Sequence, residues 1–384
     1  MQKAENGKYV RKLNIITVVL CVLILLLSAV NLSFAADSFS QSDLEGDWKS
    51  HAIFSSAENW EGWERADMAV DGETASPSNI EDSDEYSGGI FPAATISIDS
   101  DGIITMPTDN SFEGILNSDK DFIVVTSGYP GTDNPGLGIF VKRTGATFAT
   151  ADFEGDWIGH FISSSATGWE GWKRIDMTAN NSGVFTLGYM ENSDEYSETT
   201  GEEATFSISS DGIVTLSEEE SLEGIMSPDK NIIVLTDEYS SLDNPELALL
   251  VKRTGATFAT ADLEGDWKIH AIYSSDNAAD WEGWERGDAA IDGSGNLTFN
   301  GTDSGEQTLE GTATLSIGSN GIITSAGEDS FKGIMSPDKT VIVFTSGGSG
   351  GDDPRLTIAV KRVETEDGGS DDSGSGCFIT SLYQ

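Results

Sequence analysis

The sequence predicts an all-β protein made of three tandem antiparallel β-barrels, and three observations support this prediction. First, a segment that contains Trp-Glu-Gly-Trp near its C-terminal end occurs three times, at 39–65, 148–174 and 258–286, so a unit of about 110 residues is repeated. Second, short alternating segments are separated by Asp-Gly or Asn-Gly pairs, a combination typical of β-hairpins. Third, no helical period of useful length occurs after residue 36.

The elements of one repeat follow a common order. In the first repeat, the alternating segment ATISI is followed by a tight turn at Asp101-Gly102 and by the partner strand IIT. Next come SFEGIL, a polar turn, and the apolar strands FIVVT and GLGIFVKR. About eight short strands per repeat fit a closed up-and-down barrel, because closure removes exposed sheet edges. A two-sheet sandwich is the alternative, whereas a propeller would repeat at about 40–50 residues.

The chain divides into five predicted segments: a signal peptide (1–36), three barrel repeats (37–145, 146–255 and 256–364) and a flexible acidic tail (365–384). In the first segment, basic residues precede an apolar run and small residues follow it, which is the pattern of a cleaved export signal. A retained single-span anchor is the alternative, because the run approaches membrane-spanning length. Either way, the pattern predicts an exported protein.

Composition narrows the class of partner. The chain carries 65 acidic and 21 basic residues, a formal net charge of −44. Such a chain repels phosphate backbones, which argues against a nucleic-acid partner. Once the signal is removed, Cys377 is the one remaining cysteine, so packed cores rather than disulfides must stabilise the repeats. No pattern indicates a cofactor, and membrane contact is expected only through the signal or through C-terminal processing.

The rare residues keep fixed repeat positions although the middle of each repeat varies. The three His occupy one position and the nine Trp occupy three. The two Trp of each WEGW segment follow the first strand, where a barrel mouth or its rim is expected. Flat indoles beside a carboxylate suit stacking on sugar rings and hydrogen bonding to their hydroxyl groups. The alternative is a hairpin in which one Trp packs inward and the other covers the core. The predicted ligand-binding residues are Trp60, Glu61, Trp63, Trp169, Glu170, Trp172, Trp281, Glu282 and Trp284.

Catalytic and metal sites are not indicated. Glu61 and Glu64 suggest the paired carboxylates of a glycosidase, but Lys173 stands at the second position in the second repeat. One His per repeat, without Cys, cannot build a zinc site. The Asp-rich turn at 99–102 lacks the closing Glu of a calcium loop, and a hairpin turn explains it. The chain is therefore predicted to be non-enzymatic and to hold no metal.

Gly46 and Trp48 on the first strand, with Arg143 on the last, resemble the calycin barrels (lipocalin and avidin-like proteins). In that family, a Gly-x-Trp opens strand one and a basic residue of the final strand packs over the indole at the closed end. A lead-in carrying Phe39 lies where those barrels have a plug. The resemblance implies one structural core per repeat, formed by Trp48 with Arg143, Trp157 with Arg253, and Trp267 with Arg362.

The last residues resemble a bacterial C-terminal sorting box, in which a Gly/Ser-rich linker precedes Cys-Phe-Ile. Cys377, Phe378 and Ile379 match the box, whereas Ser381 and Leu382 depart from its small-residue core. The resemblance implies an exported bacterial surface protein in which Cys377 is a processing site.

Taken together, these patterns predict an exported bacterial surface or secreted repeat protein, non-enzymatic, that binds an extracellular ligand through Trp-rich barrel rims. A saccharide is one candidate ligand. The alternative is a structural or adhesive surface spacer without a discrete ligand. Three copies would add avidity if all of them could engage at once.

Overall fold

The computed structural model describes residues 38–55, 62–83, 93–128, 135–164, 171–194, 196–217, 219–239, 244–274, 283–348 and 352–363. These residues form three antiparallel meander barrels, closed or nearly closed, so the predicted fold class is confirmed. The predicted signal, the acidic tail and Cys377 lie outside the described residues. No helix in the described ranges is long and apolar enough to cross a membrane.

The first repeat forms barrel 1, which begins with a short helix, α1 (Gln41–Leu44). Its strands are β1 (Gly46–Phe54), β2 (Gly62–Asp71), β3 (Thr74–Asp82), β4 (Ala94–Thr95), β5 (Ser97–Ile98), β6 (Ile103–Met106), β7 (Asp109–Leu116), β8 (Phe122–Ser127) and β9 (Gly136–Lys142). Only Ile96 separates β4 from β5, and its N–H donates to the Glu73 carbonyl oxygen (2.8 Å). Since β4 pairs with β3 and β5 pairs with β6, this stretch closes the barrel.

The second repeat forms barrel 2, which begins with a 3-10 helix at Thr150–Phe153. Its strands are β10 (Gly155–Ser163), β11 (Gly171–Ala179), β12 (Val184–Asn192), β13 (Ser197–Thr199), β14 (Glu203–Ile208), β15 (Ile213–Leu216), β16 (Glu219–Met226), β17 (Ile232–Tyr239) and β18 (Asn244–Arg253). Strand β12 pairs with both β11 and β14, which completes the meander, and β13 is a short addition beside β12.

The third repeat forms barrel 3, which begins with a 3-10 helix at Thr260–Asp262. Its eight strands form a closed barrel in sequence order. They are β19 (Gly265–Tyr273), β20 (Gly283–Ile291), β21 (Asn296–Asp303), β22 (Thr308–Ile317), β23 (Ile322–Ser325), β24 (Glu328–Met335), β25 (Val341–Gly348) and β26 (Asp352–Lys361).

The lead-in and the first-strand Trp close one end of each barrel. In barrel 1, the buried Trp48 indole N–H donates to the Leu44 carbonyl oxygen (2.8 Å), and the Phe39 ring covers the 99–102 turn. Gly102 has a φ of +87°, and a Cβ there would lie 2.8 Å from the Phe39 ring, so this turn requires glycine. The indole bond recurs from Trp157 to Phe153 and from Trp267 to Leu263 (2.7 and 2.9 Å).

The calycin resemblance implied that Arg143 packs over the Trp48 indole, and the structure corrects this by one residue. Lys142 Nζ lies 5.1 Å from the indole centre and donates to the Asp43 carbonyl oxygen (2.7 Å). Arg143 instead pairs with Asp211 of barrel 2 (2.5 Å). Because successive side chains of a strand point to opposite faces, only one of the two neighbours can face the indole. Equivalent stacking joins Lys252 to Trp157 and Lys361 to Trp267, while Arg362 pairs with Asp101 and Arg253 pairs with Asp156.

The three barrels contact one another in a closed ring. Strands β1 and β2 of barrel 1 contact β17 and β18 of barrel 2, and β10 and β11 of barrel 2 contact β25 and β26 of barrel 3. Strands β19 and β20 of barrel 3 contact β8 and β9 of barrel 1. Each barrel therefore docks its first two strands onto the last two strands of the next barrel. Val363, after the last strand of barrel 3, also packs against the core of barrel 1.

A hydrophobic core joins the outer faces of these strands. It contains fully buried side chains from every barrel, among them Ile53 and Val124, Ile162 and Val234, and Ile358. The inward faces of the same strands line the barrel interiors, so the last strands of each repeat are buried on both sides. This two-sided burial explains why FIVVT and its equivalents are continuous apolar runs rather than alternating ones.

Candidate functional site

The second Trp of each WEGW segment lies in an interface between barrels. Trp63, Trp172 and Trp284 are at most 4% exposed. The Trp172 indole N–H donates to the Gly347 carbonyl oxygen of barrel 3 (2.7 Å), and that of Trp284 donates to the Gly128 carbonyl oxygen of barrel 1 (2.5 Å). These positions were expected at an open rim, and the structure buries them between barrels instead.

The remaining residues of the predicted rim lie outside the described residues. Their ligand-binding role stays a prediction. They are Trp60, Glu61, Trp169, Glu170, Trp281 and Glu282.

An Arg two residues after each interface Trp stacks on the indole. Cζ of Arg65, Arg174 and Arg286 lies 4.6, 3.9 and 4.3 Å from the respective ring centre. Nη1 of Arg65 donates to the Ser221 carbonyl oxygen of barrel 2 (2.9 Å), and Nη1 of Arg286 donates to the Ser111 carbonyl oxygen of barrel 1 (2.5 Å). In these two interfaces, the stacked Arg therefore links its own barrel to the next one.

Two of the three interfaces carry the same ion pair. Lys49 Nζ of barrel 1 lies 2.8 Å from Glu223 Oε1 of barrel 2. Lys268 Nζ of barrel 3 lies 2.8 Å from Glu113 Oε1 of barrel 1. Both Lys are buried and both Glu are half-buried, so these pairs are less screened than surface pairs.

The interface between barrels 2 and 3 uses different residues at these two positions. Ile158 stands where the other barrels have Lys, and Lys332 stands where they have Glu. Lys332 Nζ lies 2.9 Å from Glu191 Oε1 of barrel 2, which Arg174 Nη1 also approaches at 3.3 Å. The acidic partner of Lys332 is thus Glu191 of β12. The Lys that is missing at position 158 is matched by the Lys at position 332, so this interface also contains a Lys–Glu pair.

The three His, which the sequence excluded as a zinc site, are buried in the same interfaces. In each, Nδ1 contacts a Thr hydroxyl of the next barrel. The contacts are His51 to Thr236 (2.9 Å), His160 to Thr345 (3.2 Å) and His270 to Thr126 (3.1 Å). Within the described ranges, no group of three or more His, Cys, Asp or Glu is placed to hold a metal ion.

These His predict a loss of stability on acidification. Burial, and then neighbouring Lys or Arg, lower the pKa of all three well below the ordinary 6.5. Below pH 6.5 the unfolded chain takes up protons that the folded chain does not, so each His can remove up to about 1.4 kcal/mol per pH unit. The pKa values of Glu64 (about 7) and Asp121 (about 6) are raised, so the folded chain takes up these protons more readily than the unfolded chain. These two groups therefore increase stability on acidification, opposite to the His.

A single substitution separates the two effects. His51→Gln keeps a partner for Thr236 but does not titrate, so its stability should fall less steeply than that of the wild type between pH 6.5 and 5. Urea unfolding at several pH values measures this difference. Parallel pH profiles of the two proteins would contradict the assignment.

The interior of barrel 1 holds a cavity of about 450 Å³. This volume lies within the range of about 300–1,000 Å³ that is usual for small-molecule sites. Leu44 and Trp48 line its closed end, and the walls are mostly small or aliphatic side chains such as Ala66, Ala75 and Val125. The size and lining of the cavity therefore suit a small apolar molecule.

Smaller side chains on β3 distinguish barrel 1 from the other two. The strand register aligns Ala75 with Phe185 of barrel 2 and with Leu297 of barrel 3. Phe185 is fully buried, and its ring centre lies 4.9 Å from that of Phe206. At the next inward-facing position of the same strand, barrel 1 has Pro77, whereas barrel 2 has the larger Leu187 and barrel 3 has the larger Phe299. Sequence reasoning missed this cavity, although the aligned repeats contain its signal once the register is known.

Glu64 lines the cavity at the end opposite to the plug. Burial, followed by the nearby Asp82 carboxylate, raises the pKa of Glu64 to about 7. In the part of the chain that the structure describes, the Glu64 side chain forms no hydrogen bond or ion pair. Its carboxylate is therefore the main charged group facing an apolar space, and it is available to a ligand.

Comparisons with known proteins identify no family. No protein-family model matches the chain, and no curated protein matches it. Among solved structures, the chain is similar to transferrin binding protein B from Neisseria meningitidis, with 10% identity, 84% of this chain and 77% of that one covered, and a TM-score of 0.27. A protein of unknown function from Nostoc punctiforme is 15% identical, with 56% of this chain and 99% of that one covered and a TM-score of 0.19. HpuA from Kingella denitrificans is 11% identical, with 89% of this chain and 96% of that one covered and a TM-score of 0.17. Scores this low carry no inference about function.

Proposed function

We propose that the chain is an exported, non-enzymatic bacterial binding protein of the cell surface or the extracellular space, which holds one small apolar molecule inside barrel 1. One observation carries this proposal: barrel 1 is hollow where barrels 2 and 3 place larger side chains. Export and the bacterial source are supported by the predicted signal and by the resemblance of the C-terminal box.

The lining of the cavity favours an apolar ligand over a saccharide. A sugar would leave several hydroxyl groups without partners against a wall of Ala, Val and Ile side chains, and unpaired polar groups are costly to bury. An apolar ligand gains about 25 cal/mol for each Å² of surface removed from water. In this proposal barrels 2 and 3 support barrel 1 and are not copies of the site, so one ligand binds per chain.

The test is a fluorescence titration of the purified chain with N-phenyl-1-naphthylamine, a neutral apolar probe. We expect one saturable site in the wild type and none in Ala75→Phe, because the new ring occupies the space that Phe185 fills in barrel 2. Ala69→Phe introduces the same ring at an exposed position of β2 and should bind like the wild type. Equal binding by Ala75→Phe, or no saturable binding by the wild type, would overturn the proposal.

A further inference from the structure

The head group of the ligand can be inferred from the charge pattern at the end of each barrel that lies opposite to the plug. In barrels 2 and 3, the position equivalent to Glu64 is neutralised inside the protein. Lys173 of barrel 2 pairs with Glu246 of the last strand. Glu285 of barrel 3 faces Arg355 of the last strand, with 3.6 Å between Oε2 and Nη1.

Barrel 1 lacks the matching partner. Strand register places Gly136 where barrel 2 has Glu246 and barrel 3 has Arg355. Glycine carries no side chain, so the last strand of barrel 1 supplies no charge to Glu64. Among the described residues, the neighbouring charge that raises the pKa of Glu64 is the carboxylate of Asp82, which has the same sign.

The sequence between β1 and β2, between β3 and β4, and between β8 and β9 contains no cationic residue either. The segments 56–61, 84–92 and 129–134 contain no Lys or Arg and five Asp or Glu. A carboxylate in an apolar cavity without an internal counter-ion is costly to ionise, and a ligand that brings a positive charge removes this cost.

We propose that the barrel 1 cavity selects an organic cation with an apolar body, such as an alkyl- or arylammonium compound, whose ammonium group donates hydrogen bonds to the Glu64 carboxylate. This inference rests on the proposed function, because the apolar body occupies the cavity described above. The volume of about 450 Å³ holds the body, and Glu64, at the end opposite to the plug, sets the orientation of the head group.

The experiment uses three probes with the same ten-carbon chain: decylammonium, 1-decanol and decanoate. Each displaces N-phenyl-1-naphthylamine from the chain at pH 8 and at physiological salt, below its micelle concentration. We expect decylammonium to bind at least tenfold more tightly than decanol, and decanoate to bind most weakly. In Glu64→Gln the advantage of decylammonium over decanol should disappear while decanol binding is retained.

A matched variant controls for the acidity of the whole chain. Glu45→Gln removes the same charge at an exposed position beside the closed end, and the preference should persist. Equal binding of the three probes by the wild type would refute the cationic head group while leaving the apolar site intact. If none of them displaces the bound probe, the cationic ligand is refuted, whereas the apolar site stands or falls on the probe titration with Ala75→Phe. A preference for decylammonium that survives Glu64→Gln would refute the role of Glu64.

Discussion

Replacing Trp284 with Ala is expected to lower the free energy of unfolding by about 3–5 kcal/mol, the range for truncating a large buried aromatic residue. The indole is 2% exposed, and its N–H donates to the Gly128 carbonyl oxygen of barrel 1. The substitution also removes the surface on which Arg286 stacks. Barrel 3 should then separate from barrel 1 before either barrel unfolds. Urea unfolding followed by fluorescence and by far-UV circular dichroism measures both effects.

A matched variant separates the contribution of the apolar ring from that of the indole N–H to the lost free energy of unfolding. Trp284→Phe retains most of the apolar area but not the N–H, so we expect a smaller loss of about 1–2 kcal/mol. A loss below 1 kcal/mol in Trp284→Ala, with a single unchanged transition, would show that this interface contributes little.

The second large effect concerns the charge pattern between barrels 2 and 3. Ile158→Lys places an ammonium group in a buried position near Lys332 and Arg174, where Glu191 already serves both cations. We expect a loss of about 3 kcal/mol, typical of an uncompensated buried charge. Adding Lys332→Glu recreates the Lys–Glu pair of the other two interfaces and should recover most of the loss.

A double-mutant cycle on urea unfolding measures this coupling. We expect a favourable interaction of about 1–3 kcal/mol between the two substitutions, since residues in contact couple in that range. Two single effects that add within about 0.5 kcal/mol would contradict it. Strong coupling would mean that the exchanged residues help to specify which barrel docks on which.

The fold could be predicted from the sequence because its signals are local. The alternating strands and the Asp-Gly and Asn-Gly turns indicated hairpins, and the repeated segments indicated three copies. The structure confirms three meander barrels. The plug was also expected from Phe39, although the residue over the indole is Lys142 rather than Arg143. Which residue covers the indole depends on the face of the strand that its side chain occupies, and successive residues occupy opposite faces. An alignment error of one position therefore selects the wrong residue.

The interfaces and the cavity were not predicted, for two different reasons. The contact of His51 with Thr236 joins residues 185 positions apart, and no local pattern encodes such a distance. A signal was nevertheless present, because FIVVT is apolar at successive positions and therefore needs burial on both faces. The cavity depends on Ala75 in place of Phe185, and this comparison becomes visible only when strand register aligns the variable middle segments.

The closed ring of barrels has a consequence for how the three copies could diverge. A head-to-tail interface that closes after three units is the geometry of a cyclic homotrimer. In a homotrimer, every substitution appears three times, so a hollow interior or a changed ion pair would be imposed on all subunits at once. Covalent linkage into one polypeptide removes that constraint. One barrel can then keep small side chains around a cavity while the other two carry larger side chains at the same positions.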